Sequence, residues 1–339
     1  MPETSNRRDL PVPAGGRVLV TGDAGFIGKW LCRLLVAEGY EVTGLDQRAP
    51  QGEITWQHIN CDLLDREGLD RAFAQVRPQA LLHLAARTDL EGKTLEDYEA
   101  NRGGVRNLCE LVAATDSVTR AIYTSSQLVC GVGHVPKSDH EYLPSTVYGE
   151  SKIATEMIVR ECDGGGVTWC LTRPTTGWGP EMSPHYTSVL RLIDKGLFFH
   201  SGPGALNKSY FYVENIAWQY LQLLRADAGA IQGNVFYLAD YEPFSLRDYI
   251  NACAKSLGKR PPPTFPLPLV RGLALAGDVL RRLGLPAPFT GFRLRNIRTE
   301  YQFDMELTRR VCGPLPISFE EGVRRTIRWY RQTQKGQLG

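Results

Sequence analysis

The chain has 339 residues and a mass of 37.8 kDa, long enough to bury about three quarters of its unfolded surface without disulfides or a structural metal. Lys and Arg number 39 against 37 Asp and Glu, a net charge of +2, which excludes a strongly basic nucleic-acid binder and a charged interaction tail. With 42% apolar and 22% charged residues, disordered and collagenous chains are excluded as well.

Residues 1–15 are polar and interrupted by prolines, and read as a flexible tail without the apolar core of a signal peptide. Arg17–Thr21 (RVLVT) then reads as a short buried strand. Gly22, Gly25 and Gly28 form a Gly-x-x-Gly-x-x-Gly loop that opens an amphipathic helix ending at Gly39, and Glu41–Asp46 is the next strand. Strand, glycine loop, helix and strand in about 30 residues is the size of one βαβ unit. The alternation continues, with strands expected at 54–59, 80–85, 119–124 and 168–173 and helices at 66–77, 95–114 and 149–162. Such alternation implies a parallel sheet covered by helices on both faces.

Beyond Pro174 prolines and glycines loosen the pattern. A strand at 209–213, a helix at 214–225, a strand at 235–240 and helices at 245–257 and 269–283 are still legible. The last helix begins after Pro316 with Ser318 as its N-cap. Segment 265–288 is apolar-rich, but Arg271, Asp278, Arg281 and Arg282 interrupt it. It reads as an amphipathic helix packed on its own domain, and a membrane is not an expected partner. The expected architecture is α/β: a Rossmann-type doubly wound parallel sheet over 16–174, completed by 209–240, with a smaller C-terminal substrate-binding lobe from 175–208 and 241–339.

The eight cysteines form no CxxC pair and the six histidines no metal-binding spacing, so no metal site is expected. Reduced thiols and a polar N-terminal stretch make a cytoplasmic protein the expectation.

Three motifs carry chemistry. Glycines at 22, 25 and 28 allow a tight turn, a close approach of the backbone to a pyrophosphate and close packing of helix on strand. Asp46, 18 residues after Gly28, ends the second strand, where an acid hydrogen-bonds the adenosine ribose. That carboxylate would repel a 2′-phosphate, so NAD is expected over NADP, with Arg48 the alternative phosphate acceptor. Asp62, after the third strand, either reaches the adenine amino group or caps a helix.

Tyr148 and Lys152 stand one helical turn apart in TVYGESK, so phenol and ammonium share a face. The ammonium favours the phenolate, letting Tyr148 take a proton from an alcohol while a nicotinamide takes the hydride. Ser125 and Ser126 follow the fifth strand at its carboxyl end, where ligands of open α/β sheets bind. Trp178, in a Trp-Gly-Pro turn, either stacks on a ligand or packs the lobe.

The glycine loop, Asp46, the HLAA run at 83–86, Asn101, the Ser125-Ser126 pair, YGESK and Thr172-Arg173-Pro174 occur in the order of the extended short-chain dehydrogenase/reductases, which this chain resembles over roughly 16–240. The resemblance implies Ser126, Tyr148 and Lys152 as the catalytic group, Lys152 holding the nicotinamide ribose. It adds Phe26, Ile27, Leu63, Ala85, Ala86 and Pro174 to the NAD contacts and implies a structural Asn101. It implies a homodimer through the helices at 95–114 and 149–162. Members that dehydrate or decarboxylate carry acids just after the active-site hydroxyl; here Gln127 and Leu128 stand there, leaving redox chemistry alone. Residues 183–196 and 206–217 resemble nucleotide-sugar epimerases, where a basic residue at the position of Lys208 contacts a diphosphate; here Lys208 either does so or is a solvated loop residue. Thr88, Ser126, Trp178 and Lys208 are thus the expected substrate contacts. The implied reaction is C4 epimerisation of a nucleotide-diphosphate sugar through a 4-keto intermediate. A 4-keto-sugar reductase or sugar dehydrogenase would use the same residues. Features of the C-terminal third resemble 3β-hydroxysteroid dehydrogenases, the other reading.

Overall fold

Short apolar runs ended by glycines set the first half of the chain. RVLVT forms β1 (Arg17–Thr21), and Gly22 ends it at φ +82°, a left-handed turn that side chains rarely adopt. The computed structural model describes residues 12–336 other than 286 and 288, so most of the expected tail lies outside the described residues. From β1 the chain runs through α1 (Phe26–Ala37), β2 (Glu41–Asp46), β3 (Gln57–Asn60), α2 (Arg66–Val76), β4 (Ala80–His83), α3 (Glu99–Ala114), β5 (Arg120–Thr124), α4 (Val147–Glu161) and β6 (Thr168–Pro174). There follow β7 (Thr176–Trp178), α5 (Pro184–Asp194), β8 (His200–Ser201), β9 (Asn207–Lys208), β10 (Tyr210–Tyr212), α6 (Val213–Arg225) and α7 (Ala228–Ile231). The remainder is β11 (Val235–Leu238), β12 (Phe244–Ser245), α8 (Leu246–Leu257), β13 (Thr264–Phe265), α9 (Leu267–Arg282), α10 (Gly291–Ile297), α11 (Glu306–Cys312) and α12 (Phe319–Gly336).

Two compact units result. The first takes the chain up to Thr176, Val213–Asp240 and Asp304–Pro316. It holds a seven-stranded sheet in the order β11-β6-β5-β4-β1-β2-β3, with every pair parallel. Leu19, Leu45, Leu81, Ala121 and Leu171, one from each of five neighbouring strands, pack under Phe73 of α2, Leu108 of α3 and Val159 of α4. The chain order reverses between β1 and β4, and at such a switch point the loops diverge and open a crevice at the strand carboxyl ends.

Strand β4 stops at His83, short of the expected 85, because the Leu84 and Ala85 amides turn onto the Thr21 hydroxyl, 3.2 Å away in each case. Residues 304–316, expected in the C-terminal lobe, belong to the first unit. Within that unit the Thr308 hydroxyl donates to the Tyr237 carbonyl at 2.7 Å, holding α11 on β11.

The second unit takes Gly177–Tyr212, Tyr241–Phe303 and Ile317–Gly339. Its core gathers Trp178, Tyr212, Phe244, Tyr249 and Phe319 edge to face and tilted, with ring centroids 4.8–5.9 Å from Trp178. Within the 265–288 segment, helix α9 spans Leu267–Arg282 and buries only Val270, Ala274 and Gly277; Val270 and Ala274 pack with Leu294 against Phe199, Phe265 and Phe289. No helix among the described residues is long and apolar enough to cross a membrane.

Candidate active site

The glycine loop tolerates no side chains at its two ends. A Cβ on Gly22 would stand 2.6 Å from the Ala85 nitrogen, and one on Gly28 would stand 2.0 Å from the Gly22 carbonyl oxygen. The Gly25 amide donates to that same carbonyl at 2.9 Å, closing the turn, and no side chain caps the start of α1. A loop this tight, leading into a helix N-terminus at the switch point, fits a dinucleotide pyrophosphate. Phe26 and Ile27 form the first turn of α1, and Ala85 and Ala86 follow β4, with Ala85 against Gly22.

Asp46 ends β2 nearly buried, and burial raises its carboxyl above the usual range. Its Oδ1 accepts from the Arg48 amide at 3.0 Å, while the Arg48 side chain is 76% exposed. The helix-cap alternative for Asp62 is not what forms: Asp65 caps α2 by accepting from the Gly68 amide, and Asp62 instead accepts from the Leu64 amide at 2.9 Å. Asp62 therefore stands exposed after β3, beside buried Leu63.

The carboxyl end of β5 carries the expected hydroxyl of Ser126. Ser126, extended at φ −159°, holds its hydroxyl under the Leu128 amide at 3.1 Å. Thr146 caps α4 through the Gly149 amide, and the helix period then stacks Tyr148, Lys152 and Glu156 on one face. Tyr148 and Ser126 are each only 8% exposed and hydrogen-bond one another.

The expectation that Lys152 lowers the phenol is corrected here. Burial dominates and pushes Tyr148 up to about 12, and the bond from Ser126 is what opposes it. Lys152 is itself engaged, donating to the Thr124 carbonyl at 2.7 Å, and burial brings its ammonium down to about 8.

Further groups fix this site. The Thr21 hydroxyl accepts from two amides, so its own proton points to His83 Nδ1 at 2.8 Å and the imidazole proton sits on Nε2. Burial, then the Lys152 charge, brings His83 down to about 3, so it is neutral. Asn101 is structural: its amide spans the Arg87 backbone and the Ser151 hydroxyl at 2.9–3.0 Å. Arg173, next to buried Pro174 on β6, forms a fully buried two-point ion pair with Glu156 at 2.8 Å in both arms. Sequence reasoning missed this pair and Asp23, discussed below. The only trace of the first was the arginine in Thr172-Arg173-Pro174.

The expected substrate residues divide between the two units, Thr88 and Ser126 in the first and Trp178 and Lys208 in the second. Thr88 lies exposed beyond β4. Trp178 is 5% exposed inside the aromatic core of the second unit, so packing is the alternative the fold realises. Lys208 is not a solvated lysine. It is buried, donates to the Asn296 carbonyl and lies over the Tyr301 ring, and burial brings it down to about 8. Gln127 is held by its amide on the Thr176 hydroxyl at 3.2 Å, and neither it nor Leu128 offers an acid or base.

Lys152→Met should separate function from stability. An ammonium lowered from 10.5 to about 8 costs folding about 3 kcal/mol below pH 8, and the cost fades as pH rises towards 10.5. The variant should therefore melt no lower than the wild type at pH 7, with less advantage at pH 10, while turnover falls a hundredfold or more. A variant that melts lower at pH 7 and equally at pH 10 would show that the ammonium stabilises the fold.

Residues 18–239 match the model of the NAD dependent epimerase/dehydratase family, and the chain belongs to that family. NAD is therefore its cofactor. It is 26% identical over 320 residues to an N-acetyl-alpha-D-glucosaminyl-diphospho-ditrans,octacis-undecaprenol 4-epimerase of Escherichia coli, covering 92% of this chain and 94% of that one. It is 27% identical over 326 residues to a 3 beta-hydroxysteroid dehydrogenase/Delta 5-->4-isomerase of Mycobacterium tuberculosis, covering 89% and 86%. Among solved structures, the UDP-glucose 4-epimerase of Thermotoga maritima with UDP-glucose superposes with a TM-score of 0.73 at 21% identity, covering 94% of this chain and 99% of that one.

Proposed function

On the premise of that membership, we propose that the chain performs NAD-dependent oxidoreduction at a secondary alcohol of a nucleotide-diphosphate sugar, its overall reaction being C4 epimerisation through a 4-keto intermediate. The observation that carries this reading is the buried Ser126–Tyr148–Lys152 group followed by Gln127 and Leu128, which gives a proton path at one oxygen and no acid or base for elimination. Bound NAD supplies a hydride acceptor for the oxidation and a donor for the return.

The chain's own residues do the rest. Ser126 and Tyr148 hold the reacting oxygen, and Tyr148 takes its proton and later returns it. Lys152 holds the nicotinamide ribose. Gly22, Gly25, Phe26, Ile27 and Gly28 cradle the pyrophosphate, Asp46 takes the adenosine ribose, and Asp62 and Leu63 take the adenine. Ala85, Ala86 and Pro174 line the nicotinamide side.

A second reading, a hydroxysteroid-type dehydrogenase acting on an apolar alcohol, is favoured by Lys208: its ammonium is committed to the Asn296 carbonyl and the Tyr301 face, where a diphosphate contact would need it. The test mixes purified protein, without added cofactor, with a panel of nucleotide sugars and follows nicotinamide absorbance and product stereochemistry. An inverted sugar with no net absorbance change is the expected result. A signal only with added NAD(H), scaling with product, makes the chain a net reductase or dehydrogenase. No reaction across the panel, with turnover of sterols, replaces the proposal by the second reading.

A further inference from the structure

The glycine loop carries a carboxylate that the reading above does not use. Asp23 is fully buried; its Oδ2 accepts from Trp56 Nε1 at 2.8 Å and lies 2.9 Å from His58 Nδ1. Among the described residues its Oδ1 has no hydrogen-bond partner, and neither has the equally buried Nε2 of His58. The carboxylate fits only because residue 44 is glycine: a Cβ there would stand 2.0 Å from Oδ2. Gly44 and Asp46 point to one face of β2, and their partners in register on β3 are His58 and Asn60. The Asp23 carboxylate thus sits one same-face step, about 7 Å, from the acid expected to meet the adenosine ribose. The two feel one another, since the Asp23 charge is among the influences that raise the Asp46 carboxyl.

A buried, half-satisfied carboxylate is costly, and a loop anchor alone does not require a charge. We propose that Asp23 is a second dinucleotide-selecting residue, whose buried charge behind Asp46 adds to the repulsion of a 2′-phosphate at the adenosine ribose. The assignment rests on the NAD reading of the cofactor. It also answers the one feature that favours NADP, the exposed Arg48 beside Asp46. A guanidinium in water offers a 2′-phosphate little, whereas a carboxylate removed from solvent repels it at longer range.

A purely structural Asp23 would weaken NADH and NADPH binding alike; a selecting one changes their ratio. Dissociation constants for both, read from nicotinamide fluorescence at low and high salt, distinguish the two. Asp46→Asn should retain a preference for NADH of about tenfold at low salt, and Asp23→Asn should narrow the wild-type preference by about tenfold. The double variant should bind both alike. The proposal is overturned if Asp46→Asn alone brings the ratio to one, or if Asp23→Asn weakens both dinucleotides equally. Should Asp23→Asn fail to fold, Asp46→Asn decides alone, because it leaves the buried cluster untouched. Binding of neither dinucleotide by the wild type would remove the cofactor reading, and this assignment with it.

Discussion

Tyr148→Phe is expected to lower turnover by between about 10² and 10⁴ while the melting temperature stays within a few degrees of the wild type. The change removes one hydroxyl from a site that is already dry. The ring keeps its packing at 6.0 Å from Tyr98, and Ser126 keeps the Leu128 amide as a partner. What disappears is the phenol oxygen that hydrogen-bonds Ser126. With its phenol near 12, Tyr148 rests protonated at neutral pH, ready to donate to a ketone and reluctant to accept from an alcohol. Oxidation should therefore speed up with pH as the phenolate fraction grows, until Lys152 loses its proton at about 8. In Tyr148→Phe both the rate and that rising limb should vanish. Turnover within threefold of the wild type, with the same pH profile, would take the proton away from Tyr148 altogether.

Why this much was legible in the sequence follows from what each signal depends on. The glycines at 22 and 28 are readable because their spacing reports backbone packed so closely that an added Cβ would stand 2.6 and 2.0 Å from neighbouring backbone atoms. Tyr148 and Lys152 are readable because the helix period alone sets their common face. The strand pattern is readable because buried parallel strands are continuous apolar runs. Other features depend on partners far along the chain. The sequence offers Asp62 as a helix cap, but the Gly68 amide takes Asp65 instead. Helix α11 is short and polar, so only its packing in the first unit reveals where it belongs. Trp178 in a proline turn gives no hint that four other aromatic side chains enclose it. The elevated phenol is of the same kind, since burial is a property of everything around Tyr148.

The buried pair of Arg173 and Glu156 is the strongest case of a long-range partner, and it yields the largest expected loss of stability. The Arg173 guanidinium meets both Glu156 oxygens at 2.8 Å, donates to the Tyr237 hydroxyl at 3.0 Å and the Asp139 carbonyl at 2.7 Å, and lies over the rings of Tyr142 and Tyr237. Glu156 accepts a third bond, from the Tyr142 hydroxyl at 2.9 Å. Glu156→Ala leaves the guanidinium buried without its counter-charge and should cost about 3–5 kcal/mol in urea unfolding. Arg173→Met with Glu156→Leu removes both charges and should recover most of that loss, because the attraction within such a pair little more than offsets its desolvation. Activity should not recover to the same extent. Glu156 lies on the face of α4 that carries Tyr148 and Lys152, two turns and one turn back, so the pair ties that face to β6 at a fixed rotation of the helix. Leucine and methionine can refill the volume without fixing that rotation. A double variant that regains both stability and full turnover would show that packing alone orients the site. Regained stability with kcat still down about tenfold would assign the ion pair a positioning role that its stability contribution does not reveal.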